Sequence, residues 1–118
     1  MTIPSTTEAQ PDALIAATFE RILAEAGPRQ AAVLRRCAVP HWFDADVLAL
    51  LRGRPDGNER VLDQIAAYSF VRSVGPGRYA YQEDVRAALL VAWRAEQPQE
   101  LAELHRQLFA YFAARTTA

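Results

Sequence analysis

Few side chains in this 118-residue chain are of the types that do chemistry. There is one thiol, Cys37, and there are two imidazoles, His41 and His105. A nucleophile needs a base within hydrogen-bond reach, and that base needs a group to orient it. Cys37 lies in the apolar run "AAVLRRCAVP", His41 in a loop beside Trp42, and His105 on the last predicted helix. No spacing pairs one with another. Cys37 therefore reads as a buried, inert thiol and the histidines as surface or rim residues. The acidic pair Glu83-Asp84, and Glu100 with Glu103, fall near the starts of predicted helices. There their charge suits the positive end of the helix dipole, with no need of acid–base chemistry. A single cysteine also excludes an internal disulfide and a Cys-rich metal site. The expectation is a protein with no catalytic residue, no metal site and no cofactor, and hence no enzyme.

Composition bounds the partners. The chain is 51% hydrophobic and 23% charged, as expected of a globular domain, and its net charge of −1 gives no bulk attraction to nucleic acid or an anionic membrane. All 13 basic residues are arginine. Arginine favours planar, bidentate contacts with carboxylate or phosphate, although a GC-rich codon bias would also remove lysine. No basic-then-apolar leader opens the chain, and no run approaches the roughly 20 apolar residues that cross a bilayer. These features predict a cytoplasmic protein with no membrane partner.

Residues 1–10, "MTIPSTTEAQ", are polar and aperiodic and predict a flexible tail before a single domain over 11–118. Leu14, Ile15, Phe19, Ile22 and Leu23 recur at helical spacing from a start near Pro11 and Asp12, and Gly27-Pro28 ends that helix. A second helix over about 29–38 turns Ala32, Val33, Leu34 and Cys37 inward, and Pro40 stops it. Asp44 suits the cap of a third helix, with Phe43 and Leu48 as its hydrophobic staple. After the loop "RGRPDGN" a fourth helix runs over about 58–67, with Asn58 as cap and Val61, Leu62 and Ile65 as its stripe. The period then changes. "YSFVRSV" and "RYAYQ" flank the turn "GPG" at 75–77 and predict a β-hairpin, which must lean on helices to be stable. Two further helices follow, over about 83–96 and 98–114, the second opening on Pro98. The fold class expected is mostly α with a small β part (α+β). Its element order is that of a winged helix-turn-helix with a short two-stranded hairpin and flanking accessory helices.

Three stretches carry a family resemblance: "AAVLRRCAVPHWFDADVLALL", "LDQIAAYSFVRSVGPGRYAYQEDVRAALL" and "LAELHRQLFAYFAAR". Together they resemble the winged-helix region of STAND-type (NB-ARC-like) signalling ATPases over about residues 29–115. In that family the second hairpin strand ends in an aromatic-His step, and the His can approach the phosphates of a bound nucleotide. The matching position here is Gln82, which can donate a hydrogen bond but cannot carry the imidazole's charge. The chain has no phosphate-binding loop of the form GxxxxGK and no lysine to complete one, so it is not itself the ATPase. The resemblance implies a regulatory or protein-interaction module of a bacterial signalling or defence system. Its partner would be a nucleotide-binding ATPase, an effector or a neighbouring domain.

The candidate interaction surface lies around the hairpin: Arg72, Arg78, Gln82 and Arg86, amid more aromatic residues than a core of this size requires (Trp42, Tyr68, Tyr79, Tyr81, Trp93 and Tyr111). Aromatic residues and arginine dominate interface energetics. The plain alternative is that these arginines form a solvated rim or pair internally with Glu83 and Asp84. The other reading is a small DNA-binding transcription regulator, which would face DNA with Asn58, Arg60, Gln64 and Arg78. Against it, the fourth helix carries Glu59 and Asp63 around Arg60. A homodimer through the last helix, by Leu108, Phe109 and Phe112, is also expected to be possible.

Overall fold

The computed structural model describes residues 3–117, with side chains from 14 to 115. The described chain is mostly helical with one two-stranded antiparallel sheet. In chain order the elements are α1 (Ile3–Ala26), α2 (Pro28–Arg36), α3 (Ala45–Arg52), α4 (Asn58–Ala66), β1 (Val71–Gly75), β2 (Arg78–Tyr81), α5 (Glu83–Glu96) and α6 (Pro98–Thr117). Helix α1 begins at Ile3, so residues 3–10 are helical where the sequence suggested a tail; residues 1–2 lie outside the described residues. Polarity alone does not stop a helix; a missing apolar face only removes the pattern that would reveal it.

Local chemistry sets most boundaries. Gly27, at φ 90, makes the corner between α1 and α2, and Pro28 opens α2 at a position that needs no N–H donor. Asp44 caps α3, its carboxylate accepting the Val47 N–H at 2.9 Å, and the staple residues Phe43 and Leu48 are both fully buried. Two expectations shift by one residue. In α2 it is Ala31, not Ala32, that faces inward with Leu34 and Cys37. Asn58 does not cap α4. Gly57 takes the left-handed cap position, and Asn58 becomes the first helical residue. The Asn58 side chain instead accepts from the Arg52 guanidinium at 2.6 Å and donates to the Arg54 carbonyl at 2.9 Å. It ties the loop between α3 and α4 together.

The hairpin pairs Val71 with Tyr81, Arg72 with Ala80 and Ser73 with Tyr79, and a bulge follows between Ser73 and Gly75. On the other edge of β2, Phe43 forms an isolated bridge with Tyr79. Its N–H donates to the Tyr79 carbonyl at 2.8 Å, and the Tyr79 N–H returns the bond at 2.9 Å. Side chains alternate along a strand. Phe43, Tyr79, Tyr81 and Val71 therefore share the face turned to the core. Trp42, Ala80, Arg72 and Arg78 share the opposite, outer face, on which Ala80 is covered and Trp42 half-buried while the two arginines are exposed.

The backbone between α2 and α3 is buried through Cys37, Ala38, Val39 and Pro40. Buried carbonyls need donors. At the end of α2 the Ala38 N–H bonds to the Arg35 carbonyl rather than continuing the helix onto Leu34. The orphaned Leu34 carbonyl accepts instead from the Tyr81 hydroxyl at 2.7 Å. The Arg35 carbonyl also accepts from the Trp93 indole N–H at 2.8 Å. Further along, Arg86 donates to the carbonyls of Val39 at 2.8 Å and Pro40 at 3.1 Å. Around Tyr81 the rings of Phe70, Phe43 and Phe19 pack at centroid distances of 5.0, 5.8 and 6.4 Å. One cluster of buried side chains runs from Phe19 on α1 to Leu108 on α6 and takes members from every helix.

These bonds predict that Arg86→Ala and Tyr81→Phe each lower stability in urea titrations by about 1–3 kcal/mol, because each leaves buried carbonyls without a donor. Arg72→Ala, an exposed change, should stay within about 0.5 kcal/mol of the parent.

Candidate functional site

On the outer face of the hairpin, exposed arginines and a half-buried tryptophan converge. Phe43 pairs with Tyr79, so Trp42 lies beside Ala80 on this face, and Arg72 flanks Ala80 from the other strand. The Arg78 guanidinium lies over the Trp42 ring, 4.5 Å from its centroid. The same indole meets the Phe112 ring of α6 edge-on at 5.4 Å. Trp42 is thus half-buried and held between a ring and a cation. Such a contact holds the arginine in place and leaves its guanidinium with N–H donors to spare. Arg72 and Arg78 are exposed, and among the described residues neither has a carboxylate or carbonyl partner. Among the described residues the alternative pairing with Glu83 and Asp84 is not formed, and the exposure of both arginines is also that of a solvated rim. Asp84 turns its carboxylate to the Val85 N–H at 2.8 Å instead.

The structure separates the other expected site residues. Gln82 is exposed at the start of α5 with no side-chain capping bond, while its backbone receives α5 and closes onto the Phe70 carbonyl. Arg86 leaves the interaction surface: both of its bonds go to the buried carbonyls of Val39 and Pro40. Asn58 leaves the DNA-facing set, being only 7% exposed and committed to Arg52 and Arg54. Arg60 and Gln64 are exposed one turn apart on α4, beside Glu59 and Asp63. The homodimer face also shrinks. Leu108 is buried and Phe112 packs on Trp42, leaving Phe109 alone outward at 77% exposure. At helical spacing these residues do not share one outward face. Of the aromatic residues, Tyr81 and Trp93 are buried, and Trp42, Tyr68, Tyr79 and Tyr111 are half-buried. Sequence reasoning missed Trp42 as the platform for Arg78. The available signal was a strand-like residue before an N-cap, but a single bridging pair is too short to leave a periodic pattern.

The remaining chemical groups are dispersed. His41 and His105 are both exposed, in the loop before α3 and on α6. Among the described residues no group of three or more His, Cys, Asp or Glu could hold a metal ion, and no helix is long and apolar enough to cross a membrane. A groove of about 360 Å³ between α1, α2 and α5 is rimmed by the ion pairs Arg35–Glu20 and Arg36–Glu100. Its floor is the already buried Phe19, Leu23, Leu89 and Trp93, so it is a shallow cleft over the core. The chain matches no protein-family model, no curated protein and no solved structure.

Cys37 is 1% exposed, and burial pushes its thiol far above the ordinary value of 9.0, an effect the neighbouring Tyr81 hydroxyl offsets only in part. Burial likewise holds Tyr81 well above 10.0. The folded chain keeps protons that the unfolded chain releases. Stability from these two groups is therefore whole below pH 9 and falls as pH rises past it. Each such proton contributes a slope of about 1.4 kcal/mol per pH unit. Urea midpoints across the alkaline range should fall, and Cys37→Ala should make the decline just above pH 9 shallower by one proton. An unchanged slope would mean that the thiol is accessible in the folded state.

Proposed function

We propose that this chain is a winged-helix module that docks on a protein and does no chemistry of its own. In the fuller form of the reading it belongs with a STAND-type signalling or defence ATPase. It binds that ATPase, an effector or a neighbouring domain in the cytoplasm and biases its off and on states. The observation that carries the reading is the order α2, bridge at Phe43, α3, α4, β1, β2, with the bridge on the outer edge of β2. In a winged helix a short third strand pairs at that edge, and the bridge stands in the corresponding place. The sequence resemblance over about residues 29–115 supports the ATPase context.

Docking on protein is favoured over DNA by the surface of the helix that would enter the major groove. Its exposed face carries Glu59 and Asp63 beside Arg60, and Asn58 is occupied within its own loop. Acidic groups there repel phosphate. The DNA-binding reading rests on Arg60, Gln64 and Arg78, which are all exposed.

Affinity capture of the tagged chain from its host lysate, with and without nuclease, tests the proposal. A nuclease-resistant nucleotide-binding protein is the expected result. Recovery of DNA alone, lost on nuclease treatment, would replace docking by DNA binding. A companion titration should find no sequence-independent binding to duplex DNA at low salt. Tight binding that falls steeply with salt and disappears in Arg60→Glu and Arg78→Glu would contradict the proposal.

A further inference from the structure

The outer face of the hairpin has the composition of an acid-recognition surface. Resting on the docking reading above, we propose that Trp42, Arg72 and Arg78 receive a carboxylate-bearing segment of the protein partner, a short stretch rich in Asp or Glu. Charge complementarity carries the assignment. Among the described residues six of the 13 arginines have oxygen partners (Arg35, Arg36, Arg52, Arg86, Arg106 and Arg115), and Arg72 and Arg78 are set apart from the other unpaired ones by sharing one face with the Trp42 platform. Arg72 and Arg78 stand on one face, on either side of Ala80, and have none among the described residues.

The contact with Trp42 holds Arg78 in place. A guanidinium held over an indole ring has N–H donors to spare, of which a carboxylate can take two. Phe112 supports the indole from behind, so the platform is fixed before a partner arrives. This lowers the ordering cost of binding. The half-buried ring also offers an apolar contact beside the two charges.

A nucleic acid fits less well. Stable phosphate-backbone binding draws on several cations along a track. This face offers two, Arg72 and Arg78.

The test uses the full chain labelled with ¹⁵N and titrated separately with an oligo-glutamate peptide, an oligo-lysine peptide and a short DNA duplex. The Trp42 indole and the Arg72 and Arg78 Nε–H signals are followed. The Trp93 indole, bonded to the Arg35 carbonyl, serves as an internal control. Oligo-glutamate should move the Trp42, Arg72 and Arg78 signals saturably and leave Trp93 in place, and oligo-lysine should move none. Arg78→Ala should weaken binding roughly tenfold, and Arg78→Lys should weaken it less, keeping the charge but losing the guanidinium. Still signals, uniform movement at every arginine, or a response to the duplex in place of the peptide would overturn the proposal. Capture of the same protein partner by the Arg72→Ala/Arg78→Ala chain would overturn this surface while leaving the docking reading intact. Capture of no protein by the unaltered chain would remove that reading itself.

Discussion

Four consecutive residues of irregular backbone, Cys37 to Pro40, run through the interior. Buried carbonyls there, and those at the end of α2, need donors from elsewhere. Tyr81, Trp93 and Arg86 supply those of Leu34, Arg35, Val39 and Pro40, and all three come from a single stretch of chain, β2 and α5. This requirement locks the hairpin and α5 to α2. It also fixes the segment that follows, so that Phe43 reaches the free edge of β2 and Trp42 turns outward. The candidate surface is a consequence of satisfying a buried linker.

The same demand divides the arginines by role. Arg36, Arg52 and Arg86 each hold a backbone carbonyl, and two of these bonds join segments far apart in sequence. A planar group with five donors suits that task, since one side chain can serve two carbonyls at once. Arg72 and Arg78 lie outside this network. What distinguishes the two groups is whether an oxygen acceptor lies within reach, and composition alone does not contain that information.

The elements with strong local signals were legible in the sequence. Asp44 as a cap, the staple of Phe43 and Leu48, the Gly-Pro corner after α1 and the glycine turn of the hairpin all act through neighbours in the chain. Long-range contacts were not legible. Arg86 looked like a surface arginine because its partners lie 46 and 47 residues away. Asn58 looked like a cap because its type favours that position; the left-handed Gly57 took the position instead. On α6 the apolar spacing was visible, but the loop residue Trp42, which turns Phe112 inward, was not. Of the candidate surface, Arg72 and Arg78 were readable from their types and their place beside the turn. The platform beneath Arg78 required the bridge between Phe43 and Tyr79, a pairing between segments far apart in the chain.

Both the pairing of the loop before α3 with the edge of β2 and the placement of Trp42 beside Arg78 depend on the bridge between Phe43 and Tyr79. Amide hydrogen exchange resolved to single residues measures it. The Phe43 and Tyr79 N–H groups should exchange slowly, with protection close to that of the core helices and far above that of the hairpin turn. Exchange of either at the rate of an open loop would mean that the bridge does not hold in solution, and the surface built on it would have no fixed geometry.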